Sequence, residues 1–210
     1  MIAVYPCEFD LPHRGLKFLE WYDKHKVFHP AVDLNKGIGD ADLGNPVVCP
    51  VEGEVFYVSP KPTLLNRQNG GFGLFVVVYH PVQNLWTRYA HLNSVSVVLG
   101  QELKVGEQLG KVGKSGTTSS HLHFEVWRPS MYEIQAAKNF RYYPTGQSKQ
   151  YVTEHYIDPL AWIESLNQQP EYKNELEKWA SGHVQNVPLL ISGDVHSMLA
   201  LIRSATKNNP

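Results

Sequence analysis

Apolar residues dominate four short stretches in the first two thirds of the chain, and turn-forming residues separate them. The stretches are GEVFYVS (53–59), GLFVVVYH (73–80), LWTRYAHL (85–92) and HLHFEVW (121–127). Their valine and aromatic residues favour β-strands. The segment YHPVQNLW predicts a hairpin, and the glycines between the third and fourth stretches predict tight corners. The pattern therefore predicts an all-β unit, a small antiparallel sheet or barrel.

The pattern changes after the fourth strand. Residues 129–157 are polar and aromatic, and they predict a long excursion from the sheet or a partly ordered loop. The stretch DPLAWIESL (158–166) predicts a helix with Asp158 at its N-cap. Two further helices are predicted at 170–180 and 192–205. The fold class expected is thus mainly β with C-terminal helices.

The residues before the sheet are irregular, and LKFLEWYDKH (16–25) fits either a short helix or a loop. We therefore expect three regions in the chain. They are an irregular N-terminal segment at 1–26, a β domain at 27–163 with an insertion at about 129–153, and a helical C-terminal extension at 164–210.

Composition excludes several classes of protein. The 210 residues are 42% hydrophobic and 19% charged, with a formal net charge of -1, so a folded globule without a nucleic-acid or anionic-membrane partner is expected. No apolar run approaches the roughly 18 to 20 residues that a transmembrane helix needs. The first residues, MIAVYPCEFDLPHRG, lack the pattern of a signal peptide. Cys7 and Cys49 fit free thiols or a single bridge.

Two histidines lie two residues apart in the last predicted strand, His121 and His123. Residues i and i+2 of a strand point to the same face. One imidazole can therefore bind a metal ion while the other stays free beside it. Alone, this spacing is a weak signal, because two histidines on an exposed strand face need have no function.

Other polar residues strengthen the signal. FHPAVDLN contains His29 and Asp33, which a fully extended chain would hold roughly 13 Å apart. Because zinc ligands lie about 2 Å from the ion, this segment must curl if both residues bind one ion, and Pro30 allows a bend. TRYAHLN adds His91 near the end of the third strand. An ordinary loop histidine and turn aspartate are the alternative for the first pair. The chain has no H-E-x-x-H motif, so a catalytic base must come from elsewhere, and the spare histidines fit.

With these residues in view, the sequence resembles the lysostaphin/LytM-type zinc peptidases, which cut peptide bonds in bacterial peptidoglycan. The resemblance covers about residues 27 to 163. It runs in order through FHPAVDLN, GNPVVCPVEGEV, GFGLFVVVYH, TRYAHLNSVSVVLGQELKVGEQLGKVGKSG, HLHFEVW and YIDPLAWI. It departs from the family pattern in HPAVD, which lacks a glycine, and in GKSGTTSSH, which is about one residue short and lacks Gly-Pro before the histidine.

The resemblance implies a barrel-like β sandwich of the lysostaphin type, with one Zn²⁺ in a groove. It implies that His29, Asp33 and His123 are the zinc ligands and that His91 and His121 flank the scissile carbonyl. The implied enzyme is a zinc metalloendopeptidase that hydrolyses a stem peptide or cross-bridge of peptidoglycan by attack of a zinc-activated water. We expect His121 to be the general base and His91 its orienting partner, although the sequence also allows the reverse.

Two more residues are candidates for supporting roles. Glu125 shares the strand face of His121 and His123, so it is either an acceptor for a ligand's second nitrogen or a solvated carboxylate. Tyr22 precedes His29 by seven residues, and its phenol is a candidate donor to the oxyanion.

Two alternative functions remain open. One is a non-catalytic cell-wall-binding or regulatory module of the same fold, and the retention of all three ligands argues against it. The other is a metallopeptidase that acts on an unrelated peptide. The resemblance also implies a cell-envelope or extracellular location, whereas the N-terminal residues show no export signal.

Overall fold

A computed structural model describes residues 3–10, 15–63 and 67–168 of the chain, and three antiparallel β-sheets form the body of this part. Its twelve strands are β1 (Trp21–Tyr22), β2 (Val27–Phe28), β3 (Ala31–Leu34), β4 (Pro46–Val48), β5 (Gly53–Val58), β6 (Leu74–His80), β7 (Leu85–Leu92), β8 (Ser94–Val95), β9 (Glu102–Leu103), β10 (Gln108–Lys111), β11 (Leu122–Trp127) and β12 (Tyr156–Ile157). Its helices are α1 (Tyr132–Ala137), α2 (Lys149–His155) and α3 (Pro159–Asn167), with a 3-10 turn at Pro129–Met131 and a short turn at Arg67–Gly70 that contains left-handed residues. The mainly β, antiparallel fold expected from the sequence is confirmed, and all four predicted strands form within a residue of their expected ends.

The largest sheet has the strand order β12-β11-β7-β6-β5-β9. Strand β11 is central, because β7 pairs along one side of it and two short strands share the other side. On that other side β3 pairs with the first part of β11, and β12 pairs with its end. The fourth predicted strand therefore has neighbours on both sides, which explains why all six of its residues are buried.

Side chains alternate between the two faces of this sheet. Tyr89 and Phe124 meet on one face, with ring centroids 5.2 Å apart. The opposite face carries Trp86, Ala90 and Trp127, which belong to a buried apolar cluster. The cluster also contains Met131, Phe140 and Val152 from the segment that follows β11, together with Tyr156 of β12. Burying a side chain of this size contributes about 1.5–3 kcal/mol, so the segment that follows β11 is held firmly against the sheet.

This following segment, residues 129–153, is ordered rather than a partly ordered loop. It contains the 3-10 turn, α1 and the first part of α2, and its Gly146 N–H donates to the Lys26 carbonyl at 2.9 Å. Helix α3 begins as predicted, because the Asp158 carboxylate accepts hydrogen bonds from two N–H groups in the first turn. In contrast, the short helix considered for 16–25 does not form, and β1 lies there instead.

The remaining sequence expectations have mixed outcomes. Cys7 and Cys49 are buried and form no disulfide bond. None of the described helices is both long enough and apolar enough to span a bilayer. The helices predicted at 170–180 and 192–205, and thus most of the helical C-terminal extension at 164–210, lie outside the described residues.

Candidate metal centre

Strand pairing between β3 and β11 brings Asp33 and His123 together. The two residues are direct partners in the register of this antiparallel pair, so their side chains project side by side from one face. The Asp33 Oδ1 and His123 Nδ1 atoms lie 2.9 Å apart. A contact between residues 90 positions apart is thus fixed by the sheet itself.

His29 approaches the same carboxylate from the break between β2 and β3. Its Nε2 lies 3.4 Å from Asp33 Oδ1. Backbone hydrogen bonds hold the break in place, since the His29 N–H donates to the Glu20 carbonyl and the His29 carbonyl accepts from Leu19. The segment from 29 to 33 therefore brings its two polar side chains together, as a shared metal ion would require.

The second nitrogen of each ligand-type histidine already has a partner. His29 Nδ1 lies 3.3 Å from the Lys17 carbonyl oxygen, and His123 Nε2 lies 2.9 Å from Glu125 Oε1. Each partner is an acceptor, so these nitrogens carry the protons when the rings are neutral. The lone pairs of His29 Nε2 and His123 Nδ1 are then left facing Asp33, and this is the protonation state that metal binding requires.

The spacing of these three donor atoms fits a small divalent cation. The atoms of His29, Asp33 and His123 all lie within 4.8 Å of one another, and no other such cluster occurs in the described part of the chain. Ligands about 2 Å from a tetrahedral zinc lie roughly 3.3 Å apart, close to the two distances from Asp33. Two nitrogens and one oxygen leave a coordination position open, as in catalytic zinc sites.

A β-bulge brings His91 to the same face. Simple alternation along β7 would place His91 with Tyr89 on the opposite side of the sheet. Between the pairs Leu74–Leu92 and Val76–Tyr89 the register shifts, and His91 adopts a left-handed backbone with φ 62°. Its ring consequently lies 5.6 Å from that of His123, measured between centroids.

His121 completes the group from the turn before β11. Its ring centroid is 4.7 Å from that of His91, and its Nε2 is 3.8 Å from Asp33 Oδ1. The Nδ1 atoms of His91 and His121 lie 2.9 Å and 3.1 Å from the carbonyl oxygens of Ser115 and Ser119. Both rings therefore donate to the backbone through Nδ1, so each neutral ring has an unprotonated Nε2.

The short turn before His121 is held by acidic residues from another loop. The Ser120 N–H donates to Asp40 Oδ1 at 2.9 Å, and the Ser120 hydroxyl donates to Asp42. The Asn35 side chain donates to the Ser120 carbonyl at 3.2 Å. The departure from the family pattern in GKSGTTSSH is thus accommodated by a local clamp.

The pKa values of the residues at the centre are shifted in different directions. Burial disfavours the ionised Asp33, but His29 and His123 outweigh this effect and hold the pKa of the carboxyl well below its usual range. Burial would lower the pKa of His123, but hydrogen bonds to Asp33 and Glu125 raise it to about 9. Burial, reinforced by His121 and His123, lowers the pKa of His91 to about 3. Burial also lowers the pKa of His121, opposed by Asp33.

Both supporting candidates lie at the centre. Glu125 is fully buried, so it is not the solvated carboxylate considered from the sequence, and it accepts from His123. The Tyr22 ring lies 6.3 Å from that of His29, and burial, with Asp33, raises the pKa of its phenol.

Sequence reasoning missed two side chains beside the centre. Tyr143, from the 129–153 segment, lies 6.2 Å from the His123 ring, and burial together with Asp33 raises the pKa of its phenol. Arg88 is fully buried against Glu125. The signal for Arg88 was a charged residue in the middle of the apolar stretch LWTRYAHL, matched by Glu125 in HLHFEVW. Tyr143 had no comparable signal.

Comparison with known proteins places this geometry in context. The family model described as "Peptidase family M23" matches residues 28–137, which include all five histidine and aspartate residues of the centre. The chain is 30% identical over 142 residues to the uncharacterized lipoprotein YgeR of Escherichia coli, covering 66% of this chain and 52% of that protein. It is 31% identical over 111 residues to the murein hydrolase activator NlpD of Salmonella dublin, covering 52% and 26%.

A solved structure agrees with the fold. The solution structure of lysostaphin superimposes with a TM-score of 0.50 at 20% identity, covering 73% of this chain and 51% of that one. The chain spans about half the length of YgeR and a quarter of that of NlpD.

Proposed function

The chain belongs to peptidase family M23, and from that premise we propose that it is a zinc-dependent endopeptidase that hydrolyses peptide bonds of bacterial peptidoglycan. The observation that carries the proposal is the convergence of His29, Asp33 and His123 beside two further histidines with unprotonated Nε2 atoms. Such an arrangement combines a metal site with groups that can move protons.

His29, Asp33 and His123 would hold the zinc ion through Nε2, a carboxylate oxygen and Nδ1. Bound zinc would lower the pKa of a water molecule and polarise the peptide carbonyl. The protein fixes the three donors through the β3–β11 register and through acceptors behind both imidazoles. The centre is therefore organised before metal binds, which reduces the cost of assembling it.

His121 is the better placed of the two remaining histidines to take a proton. Its Nε2 lies 3.8 Å from Asp33 Oδ1, so the carboxylate stabilises the imidazolium that forms. Its Nδ1–H stays on the Ser119 carbonyl throughout, which keeps the ring oriented. The proton then passes to the leaving amine. His91, beside it, would orient the attacking water by accepting a hydrogen bond at its unprotonated Nε2.

The names of the relatives support a substrate class and a location for this chain. NlpD is named a murein hydrolase activator and YgeR a lipoprotein, so a cell-envelope location and a peptidoglycan peptide are proposed for this chain as well. A non-catalytic regulator of the same fold is the second candidate, because NlpD is named as an activator. The complete set of ligands and the two spare histidines favour catalysis.

The test combines metal analysis with mass spectrometry of fragments released from several peptidoglycan types. We expect one zinc per chain, a defined set of peptide fragments from at least one type, and the loss of both in His123→Ala. A panel of unrelated peptides separates a wall-specific enzyme from a general peptidase. Stoichiometric zinc with no fragment from any peptidoglycan would favour the regulator. A chain without zinc that behaves like His123→Ala would refute the proposal.

A further inference from the structure

A chain of buried polar groups leads away from the metal centre through Glu125. Arg88 and Glu125 are cross-strand partners on β7 and β11, and neither is exposed to solvent. The Arg88 Nη1 atom lies 3.3 Å from Glu125 Oε1 and 3.2 Å from Oε2. The Trp127 indole N–H also donates to Glu125, at 2.6 Å, and the remaining partner of the carboxylate is His123.

The other end of the chain lies in the 129–153 segment. The Arg88 Nη2 atom donates to Gln135 Oε1 at 2.7 Å and to the Phe140 carbonyl at 3.0 Å. Gln135 is fully buried in α1, and its own amide donates to the Tyr142 carbonyl. The guanidinium also stacks on aromatic rings, with its carbon 3.8 Å from the centroid of Phe72.

The local backbone is shaped to supply these acceptors. Helix α1 ends in a Schellman-type turn, in which the Phe140 N–H donates to the Gln135 carbonyl and Asn139 donates to Ala136. Asn139 and Phe140 both have left-handed backbones, with φ of 50° and 56°. This conformation is unfavourable for a bulky residue such as phenylalanine and persists only where its surroundings enforce it. Here it directs the Phe140 carbonyl to Arg88.

The guanidinium position matters because a buried charge is costly when its partners are incomplete. Glu125 Oε1 lies 2.9 Å from His123 Nε2, and the same carboxylate is held by Arg88 Nη1 at 3.2 Å, so the position of Arg88 determines where this acceptor stands. Arg88 in turn keeps its place through Gln135 and Phe140. A substitution of Gln135 would therefore change the orientation of His123. Gln135 itself forms no observed hydrogen bond with His123 or Glu125.

We propose that Arg88 and Gln135 are positioning residues for the metal centre, and that the 129–153 segment sets the orientation of His123 through Arg88 and Glu125. This proposal rests on the proposed function, since it assumes that His123 is a metal ligand. On this proposal the 129–153 segment supports the metal centre, in addition to packing against the sheet.

A double-mutant cycle on the full chain tests this relay, by which we mean the hydrogen-bonded series Gln135–Arg88–Glu125–His123. The variants are Gln135→Met, Glu125→Gln and the two combined, and the readout is the zinc dissociation constant from competition with a chromophoric chelator. We expect about 10-fold weaker binding for Gln135→Met and about 10- to 100-fold for Glu125→Gln, as for other groups that support a ligand. In the Glu125→Gln background, Gln135→Met should have no further effect. The visible spectrum of the Co²⁺ form should shift in both single variants, because the ligand geometry changes.

Thr87→Val is the matched control. Thr87 lies next to Arg88 on β7 but faces the other side of the sheet, where its hydroxyl contacts His80 and Tyr89. This variant should lower the melting temperature without changing zinc affinity or the Co²⁺ spectrum. Should Gln135→Met fail to fold, Arg88→Lys keeps the charge but cannot bridge the same acceptors, and it should weaken zinc binding at least 10-fold.

The outcomes separate this proposal from the proposed function. Unchanged zinc affinity in a folded Gln135→Met, or effects that add in the double variant, would overturn the relay while zinc-dependent hydrolysis stands. Wild-type protein that binds zinc but releases no fragment would refute the peptidase, and the cycle would still decide the relay. Wild-type protein that binds no zinc would overturn both.

Discussion

Asp33 and His123 are paired across β3 and β11, and their oxygen and nitrogen lie 2.9 Å apart on the face that also carries Glu125. A strand pair that slipped by one residue would turn Asp33 to the opposite face. The apolar neighbours Val32 and Phe124, which are buried on the other face, oppose that slip. The packing of the sheet thus maintains the geometry of the centre.

Asp33→Asn should abolish tight zinc binding. The variant removes the only carboxylate of the cluster and leaves two neutral imidazoles, so the loss should exceed the roughly 10- to 100-fold that an outer partner costs. Equilibrium dialysis with a metal buffer measures the change. Asp158→Asn is the control, because Asn caps a helix as well as Asp does. Comparable zinc affinity in Asp33→Asn and wild type would remove Asp33 from the ligand set.

His121→Ala should separate metal binding from turnover. The imidazole is assigned to proton transfer, so kcat should fall by about 10²–10⁴-fold while one zinc per chain remains. Metal analysis beside fragment release measures both quantities on the same sample. His155→Ala is the control, because this histidine ends helix α2 and contacts Ser130, and the variant should change neither quantity. Loss of zinc in His121→Ala would make that residue a ligand and reverse the division of roles between His121 and His123.

The strands could be predicted from the sequence because periodicity is a local property, whereas the set of residues that meet at the centre was implied by the resemblance to the family. The spacing of His121 and His123 specified a shared face on one strand. The position of His91 was different. Strict alternation would place the His91 side chain on the same face as Tyr89, and the bulge before Leu92 turns it to the face that carries His123. A bulge depends on pairing with a distant strand, which no local pattern reports.

The 129–153 segment shows the same limit more strongly. Its composition predicted an excursion from the sheet, but Arg88 holds it in place through tertiary contacts with Gln135 and Phe140. Charged residues inside apolar strands, such as Arg88 and Glu125, were the available signal for a buried polar network, although the sequence analysis did not predict one. They did not identify its partners, because hydrogen bonds between distant segments leave no periodic trace in the sequence.

Gly113→Ala should be more destabilising than Gly106→Ala, by about 1–2 kcal/mol. A Cβ at Gly113 would lie 2.6 Å from the His91 carbonyl oxygen and 2.5 Å from the Leu92 carbonyl carbon, so the backbone beside His91 would have to move. Overpacking of this kind costs about 3 kcal/mol at the upper end of its usual range. At Gly106, with φ +77° and no atom within 4 Å of the added Cβ, only the left-handed penalty of about 1–2 kcal/mol applies. Urea denaturation compares the two, and equal midpoints would contradict the close packing at Gly113.

His80 should make the folded chain sensitive to acid. The buried ring lies 2.9 Å from the Glu52 carbonyl and 2.8 Å from Thr87 Oγ1, and burial lowers its pKa to about 4. In the unfolded chain this pKa is near 6.5. As the pH falls, the unfolded chain takes up the proton at a higher pH than the folded chain does. The contribution of His80 to the free energy of unfolding is therefore fully present above about pH 6.5, and about 3 kcal/mol of it is lost as the pH drops towards 4.

The measurement is the free energy of unfolding against pH for wild type and His80→Gln, both without metal. The difference between the two proteins should shrink or reverse by that amount between pH 7 and 4, since other titrating groups are common to both. Parallel curves over this range would show that the pKa of His80 is not lowered by folding. Thr87→Val is a useful companion, because it disturbs the same contact without removing a titrating group.

Two phenols beside the centre, those of Tyr22 and Tyr143, compete for the role of oxyanion donor. Tyr22→Phe should lower kcat by about 10²-fold, the lower end for the loss of such a donor, and leave zinc affinity unchanged. Tyr143→Phe should lower kcat less than 10-fold, because its ring is chiefly packed against His25 and Phe72. Steady-state rates on a soluble peptide substrate measure both, with Tyr79→Phe, on the far end of β6, as control. A larger loss in Tyr143→Phe would transfer the role to the 129–153 segment, since the phenol that acts on the oxyanion must be the one whose removal slows the chemical step.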